Sequence, residues 1–347
     1  MSAGRDGGRP RLLVLRALKL GDFLTGLPAL RALARAFPDH ERILAAPSRF
    51  EELIGQTGMH RICPTSDLAP LPPELNGAEV AVDLHGRGPE SQQILLDRHP
   101  GRLISFRCAE LVETAHGPRW RPDEHEVQRW CRMLRESGIG ADPRDLLLHR
   151  PFGSPRRSEG GHSRSEDRAG SYYGATDSPR PHGATIIHPG AASQARRWPA
   201  ARFAAVARSE LGGGRRVLIT GGAEETDLAY RVALLAGLPP DCVLAGNTSL
   251  TALAELVAAA GRVVSGDTGI AHLATATGTP SVVLFGPVPP AEWGPPALPH
   301  HIAIWTGKRG DPHAPTTDPG LLEIGVDRVL EALGRLPERR PLPGLAG

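Results

Sequence analysis

The residues best placed for chemistry lie in the run Val263-Val264-Ser265-Gly266-Asp267-Thr268-Gly269-Ile270-Ala271-His272. It reads as an apolar strand, a tight polar turn and the opening of a helix. Thr268 brings a hydroxyl to that turn, Gly269 a bare backbone N–H and His272 an imidazole. The first N–H groups of a helix have no internal partners and lie at the positive end of its dipole, so the turn suits a phosphate. Asp267 or Thr268 would equally suit plain capping of the helix, and the motif alone serves either role.

Four further segments follow predicted strands. In Leu18-Lys19-Leu20-Gly21-Asp22, the Asp22 carboxylate could serve as a general base or cap a helix predicted to start at Phe23. In Asp83-Leu84-His85-Gly86, His85 could touch an acceptor or simply close the strand. The segment His188-Pro189-Gly190-Ala191-Ala192-Ser193-Gln194-Ala195-Arg196-Arg197-Trp198-Pro199 holds two arginines able to grip phosphate bidentately, or to stand as surface charges beside a core Trp198. In Gly221-Gly222-Ala223-Glu224-Glu225, a carboxylate could accept from ribose hydroxyls or favour a helix start.

The elements that must position these residues alternate in type. In the first half, strands are predicted at 12–15, 42–45, 79–82 and 103–106, with helices at 23–37, 50–56 and 124–137. In the second half, strands are predicted at 185–187, 217–220, 242–244, 262–264, 281–285 and 302–305. Helices at 199–210, 225–236 and 249–260 lie between them, with Pro199 in the first helical position. Short apolar runs are those of buried parallel strands. Strand–helix alternation in each half predicts two doubly wound α/β domains, 11–150 and 184–335, with ligands at the carboxyl ends of the strands and a cleft between the domains as the site. The intervening 151–183, rich in Ser, Gly, Arg and Pro, reads as a flexible linker or surface insertion. Residues 286–299 read as a long structured loop, and the tail after Pro337 as frayed.

Composition narrows the classes. The 347 residues carry 40 Lys and Arg against 38 Asp and Glu, for a net charge of +2, so nucleic acid is not an expected partner. The cysteines Cys63, Cys108, Cys131 and Cys242 form no C-x-x-C pair, which points to reduced thiols rather than a disulfide framework or a zinc site. Residues 1–10 lack the apolar core of a signal peptide, and no apolar run approaches the ~20 residues needed to span a bilayer. A soluble, cytoplasmic protein with at most peripheral membrane contact is expected. The turns after the first strand of either half contain no G-x-G-x-x-G, which disfavours a dinucleotide dehydrogenase.

In order and spacing, the chain resembles glycosyltransferase family 9, the ADP-heptose:lipopolysaccharide heptosyltransferases. The resemblance rests on Arg16-Ala17-Leu18-Lys19-Leu20-Gly21-Asp22 with Leu27-Pro28-Ala29-Leu30, on Pro189-Gly190-Ala191 with Arg197-Trp198-Pro199, and on Gly266 through Ala274 followed by Gly278-Thr279-Pro280 and Leu284-Phe285-Gly286-Pro287. It implies a GT-B fold, two Rossmann-like domains facing across a cleft, the first binding acceptor and the second a nucleotide-sugar donor. It also implies an inverting, metal-independent glycosyl transfer with no cofactor, in which Asp22 is the base. By the same resemblance the donor is ADP-heptose, held by Arg196, Glu224, Asp267, Thr268, Gly269 and His272, with Lys19 and His85 towards the acceptor. Glu225 is the neighbouring alternative to Glu224, and Asp267 is expected to shape its loop. The family usually has Lys where Arg196 stands. The acceptor is expected to be a glycan, a glycolipid or a small molecule. Rival readings are another nucleotide-sugar enzyme of the same architecture, such as an epimerase, and an inactive nucleotide-binding protein.

Overall fold

A computed structural model describes residues 9–150, 152 and 183–338. The chain splits into two compact units, with the boundary after Phe152. Nearly all of the segment expected to be a linker, 151–183, and the end of the tail lie outside the described residues.

The first unit holds a five-stranded sheet in the order β3-β2-β1-β4-β5. Its strands are β1 (Arg11–Leu15), β2 (Glu41–Ala46), β3 (Arg61–Pro64), β4 (Val80–Asp83) and β5 (Arg102–Ile104). All pairings are parallel, which explains why β1 reads Leu-Leu-Val-Leu without alternation: both faces are covered. The helices are α1 (Leu20–Thr25), α2 (Leu27–Ala36), α3 (Glu90–Leu96) and α4 (Glu126–Glu136). Leu13, Leu15, Ile43, Ala45, Ala81 and Leu95 form one buried cluster. Phe23 stacks on Phe50 at 4.4 Å between centroids.

The second unit repeats the plan with β6 (Thr185–His188), β7 (Val217–Ile219), β8 (Arg262–Gly266), β9 (Ser281–Leu284) and β10 (His301–Ile304) in the parallel order β10-β9-β8-β6-β7. The helices are α5 (Ala200–Gly212), α6 (Thr226–Ala236), α7 (Leu250–Ala259), α8 (Gly269–Ala276), α9 (Pro290–Trp293), α10 (Pro319–Leu322) and α11 (Val326–Arg335). Ile187, Trp198, Phe203, Val264, Leu284 and Val329 belong to its core.

In each sheet the chain leaves the first strand to one side, then returns to build on the other. The reversal falls between β1 and β4 in the first unit and between β6 and β8 in the second. Doubly wound sheets bind ligands at the carboxyl ends of strands flanking such a point.

Several local expectations are corrected. The helix predicted over 23–37 is two helices, α1 starting already at Leu20 and α2 following Gly26. Residues 48–56 wind as a 3₁₀ segment. The strand predicted at 242–244 shrinks to one bridge, Ile219 with Val243. Pro199, expected in the first helical position, is instead the N-cap of α5, which starts at Ala200. Strand β3 and helices α3, α9, α10 and α11 are additional to the sequence expectation, α9 lying inside the stretch expected to be a loop.

Candidate active site

In the first unit, the reversal point gathers the loops after β1 and β4. Leu84 N–H donates to Leu15 O at 3.1 Å and Ala17 N–H to His85 Nδ1 at 3.2 Å, so the two loops are tied together. Asp22 sits in the third position of α1, not before it. Its Oδ2 accepts the Lys19 backbone N–H at 3.3 Å, which fastens the helix start. Capping therefore comes from inside the helix. Burial pushes the Asp22 carboxyl above the ordinary value, opposed by the Arg16 cation and reinforced by the Glu126 anion. A carboxylate raised towards neutrality is a stronger base than an exposed one. Lys19, at the N-cap of α1, is exposed.

His85 is held by its backbone as well as by its ring. Its N–H donates to Asp83 Oδ1 at 2.8 Å, while Ser91 Oγ donates to Asp83 Oδ2 at 2.7 Å. Asp83 is fully buried, and burial raises its carboxyl to about 6. Burial lowers the His85 imidazole to about 4, with the Arg16 cation adding to the effect. His85 is thus neutral at physiological pH. Since Nδ1 accepts from Ala17, Nε2 carries the proton and is the ring's donor.

In the second unit, the loops after β6, β7 and β8 converge at the carboxyl edge. Thr268 is the N-cap of α8, yet its hydroxyl makes no capping bond. That hydroxyl and the first amides of α8 remain where a phosphate would use them. The His272 ring, one turn further on, meets the edge of Trp293 of α9 at 5.9 Å between centroids. Arg196 Nη1 stands 3.4 Å from Asp267 Oδ2, which joins the β6 loop to the β8 turn. Asp267 itself is buried. Gly266 admits this approach, because a Cβ there would lie 3.0 Å from Arg196 O.

The remaining residues of the loop are structural. Arg197 Nε donates to Ala191 O at 3.0 Å, and the buried Trp198 Nε1 donates to Ile324 O at 3.0 Å. Ser193 Oγ donates to Pro312 O at 2.6 Å, anchoring the same loop to the chain before α10. Glu224 is exposed beside Gly222. Glu225 is buried: Oε2 accepts Gly222 N–H at 2.8 Å and lies 3.6 Å from His188 Nε2. Burial lowers the His188 imidazole against the pull of Glu225.

Sequence reasoning missed Arg16, Asp83, Glu126 and Trp293 as parts of these sites. Arg16 and Asp83 were visible, inside motifs already singled out; Glu126 carries no sequence signal, since it reaches the site only by packing of α4. Among the described residues, no group of three or more His, Cys, Asp or Glu is arranged to hold a metal ion. Among them too, no helix is long and apolar enough to cross a membrane.

Two Rossmann-like parallel sheets, each with polar loops at its reversal point, define a two-unit α/β protein of the GT-B class. The chain belongs to glycosyltransferase family 9 (heptosyltransferase), whose family profile matches residues 111–317. It is similar to lipopolysaccharide heptosyltransferase 2 of Escherichia coli K12, at 34% identity over 154 residues. That segment covers 41% of this chain and 43% of the relative, so less than half of the relative's length is matched. The fold is shared with the solved Escherichia coli ADP-heptose LPS heptosyltransferase II, at a TM-score of 0.70 and 22% identity over 93% of this chain and 97% of that one. It is shared too with a family 9 glycosyl transferase of Veillonella parvula, at a TM-score of 0.73 and 19% identity over 94% of this chain and 96% of the other.

Proposed function

We propose that this protein transfers a heptose from ADP-heptose to a hydroxyl of a glycan or glycolipid acceptor, with inversion at the anomeric carbon and without a metal ion. Membership of family 9 supports the reaction class. The names of its relatives suggest a lipopolysaccharide-type acceptor. The observation that carries the assignment of roles is the half-buried Asp22 carboxylate at the reversal point of the first sheet, raised by burial towards the range of a working base.

Asp22 takes the proton of the acceptor hydroxyl as its oxygen attacks the anomeric carbon. The nucleoside diphosphate leaves from the opposite face. Its growing negative charge is met by Arg196, His272, the Thr268 hydroxyl and the Gly269 amide, all preset before the reaction. Glu224 takes the ribose hydroxyls, because Glu225 is already committed to Gly222 and His188. His85 donates from Nε2 to an acceptor oxygen, and Lys19 meets acceptor charge. Asp267 holds Arg196 in place.

The test is Asp22→Asn, assayed with ADP-heptose and a truncated lipopolysaccharide core, alongside calorimetric ADP binding. Turnover is expected to fall by roughly 10²–10⁴ with ADP affinity unchanged. Near-normal turnover would remove Asp22 as the base. Conversion of donor in the absence of any acceptor would favour an epimerase.

A further inference from the structure

Arg16 is almost wholly buried, yet none of the roles assigned so far uses it. Its guanidinium is the hub of the first unit's reversal point. Nε donates to Asp22 O at 2.6 Å, Nη1 to Leu84 O, and Nη2 to Thr25 Oγ1 at 3.1 Å. Nη2 also lies 3.3 Å from Glu126 Oε1 on α4. One side chain therefore ties the backbone of Asp22, the end of α1, the His85 loop and α4 together.

Glu126 is itself fully engaged. Oε1 accepts Trp130 Nε1 at 2.6 Å as well as Arg16, and Oε2 pairs with Arg129 Nη1. The Arg16 cation lies 5.1 Å from the centroid of the Trp130 ring. Gly26 leaves room for the guanidinium, since a Cβ there would sit 2.6 Å from Arg16 Nε. A buried ion pair is weak evidence for stability alone, because desolvation offsets most of its attraction. This one lies against a catalytic candidate, with both charges acting on that candidate through a low-dielectric interior.

We infer that the buried Arg16–Glu126 pair is the positioning unit of Asp22, fixing the main chain that carries its carboxylate and the field in which that carboxylate sits. The inference rests on the reading of Asp22 as the base. Arg16 and the Lys19 backbone bond Asp22 directly, and the charges of Arg16 and Glu126 act on its carboxyl; Arg129 pairs with Glu126 behind it, and His85 is tied to the same loop at Ala17. Arg16 and Glu126 pull in opposite directions: the cation favours the carboxylate, and the anion opposes it. Removing each should therefore move the titration of Asp22 in opposite senses, which simple loosening of the fold would not do.

The experiment is a carbon-13 NMR titration of the full-length protein labelled at Asp carboxyls, with the Asp22 signal assigned by its loss in Asp22→Asn. Glu126→Gln is expected to move the Asp22 midpoint down by about 1 pH unit, and Arg16→Gln, which removes the cation, to move it up by a similar amount. In parallel, both variants should lower kcat while leaving the ADP dissociation constant, measured by calorimetry, unchanged. Trp130→Phe keeps both charges and is to be used if the other two do not fold; it removes the N–H donated to Glu126 together with part of the buried ring and should move the midpoint up. Folded variants with an unmoved midpoint, or with shifts of the same sign, would overturn the inference. Normal turnover in Asp22→Asn would instead overturn the base assignment while the titration stood.

Discussion

Arg196 Nη1 lies 3.4 Å from Asp267 Oδ2, so the cation assigned to the donor phosphate is already held by an acid at the end of the adjacent strand. Asp267 is buried at the start of the α8 turn, whereas the Arg196 side chain keeps 27% of its exposure. The pair therefore fixes the direction of the guanidinium without consuming all its donors. Holding it in advance would spare a donor diphosphate bound there part of the cost of ordering that side chain.

Arg196→Ala should weaken ADP binding by about 10–100-fold, the range for a lost hydrogen bond to a charged group. Isothermal calorimetry measures it directly. An unchanged dissociation constant would place the diphosphate elsewhere.

Thr268→Ala should separate stability from binding. A Ser or Thr that caps a helix costs about 1 kcal/mol when replaced by Ala. The Thr268 hydroxyl makes no capping bond, so the melting temperature should hardly move. ADP affinity should fall several-fold, and further when His272→Ala is added. A large loss of melting temperature would show that the hydroxyl caps α8 after all.

Asp83 predicts a pH dependence of stability. Its folded pKa is raised from 3.8 to about 6 by burial, so the folded state binds the proton more tightly than the unfolded chain. The stability this contributes is fully present below pH 3.8 and is lost as pH rises through about 6, amounting to about 3 kcal/mol. Asp83→Asn cannot titrate. Urea unfolding at pH 4 and pH 7 should show a smaller difference for the variant than for the parent; equal differences would contradict the burial argument.

Gly190→Ala should disturb the donor loop through Glu225. An added Cβ would meet the Glu225 carboxyl at 2.1 Å. That carboxylate can swing away, but only by giving up Gly222 N–H and the neighbourhood of His188. A loss of about 1 kcal/mol is expected from the hydrogen bond given up at the part-buried Gly222 N–H, with weaker ADP binding. Thermal unfolding with calorimetry on the same samples would test both, and a fully stable variant with normal binding would refute the link.

The chain's pattern alone determined much of this protein. Short apolar runs separated by helical periodicity specified two doubly wound halves, because parallel strands are covered on both faces and need not alternate. The turns carrying Asp22, His85, Arg196 and Thr268 could be placed at strand ends for the same reason. Tertiary structure decided the rest. The start of α1 at Leu20 turned Asp22 from a residue before the helix into one that fastens it from within, a boundary that local propensity does not fix. Glu224 and Glu225 are indistinguishable as neighbours in sequence, and only the packing against His188 and Gly222 commits one of them. Strand 242–244 dwindled to a bridge at the sheet's edge, where one neighbour rather than two rewards its ordering. Glu126 lies 110 residues from Arg16, and nothing local to either predicts the meeting. A buried charge must find its partner wherever the fold brings one within reach, and that partner is set by helix packing rather than by the residues beside it in the chain.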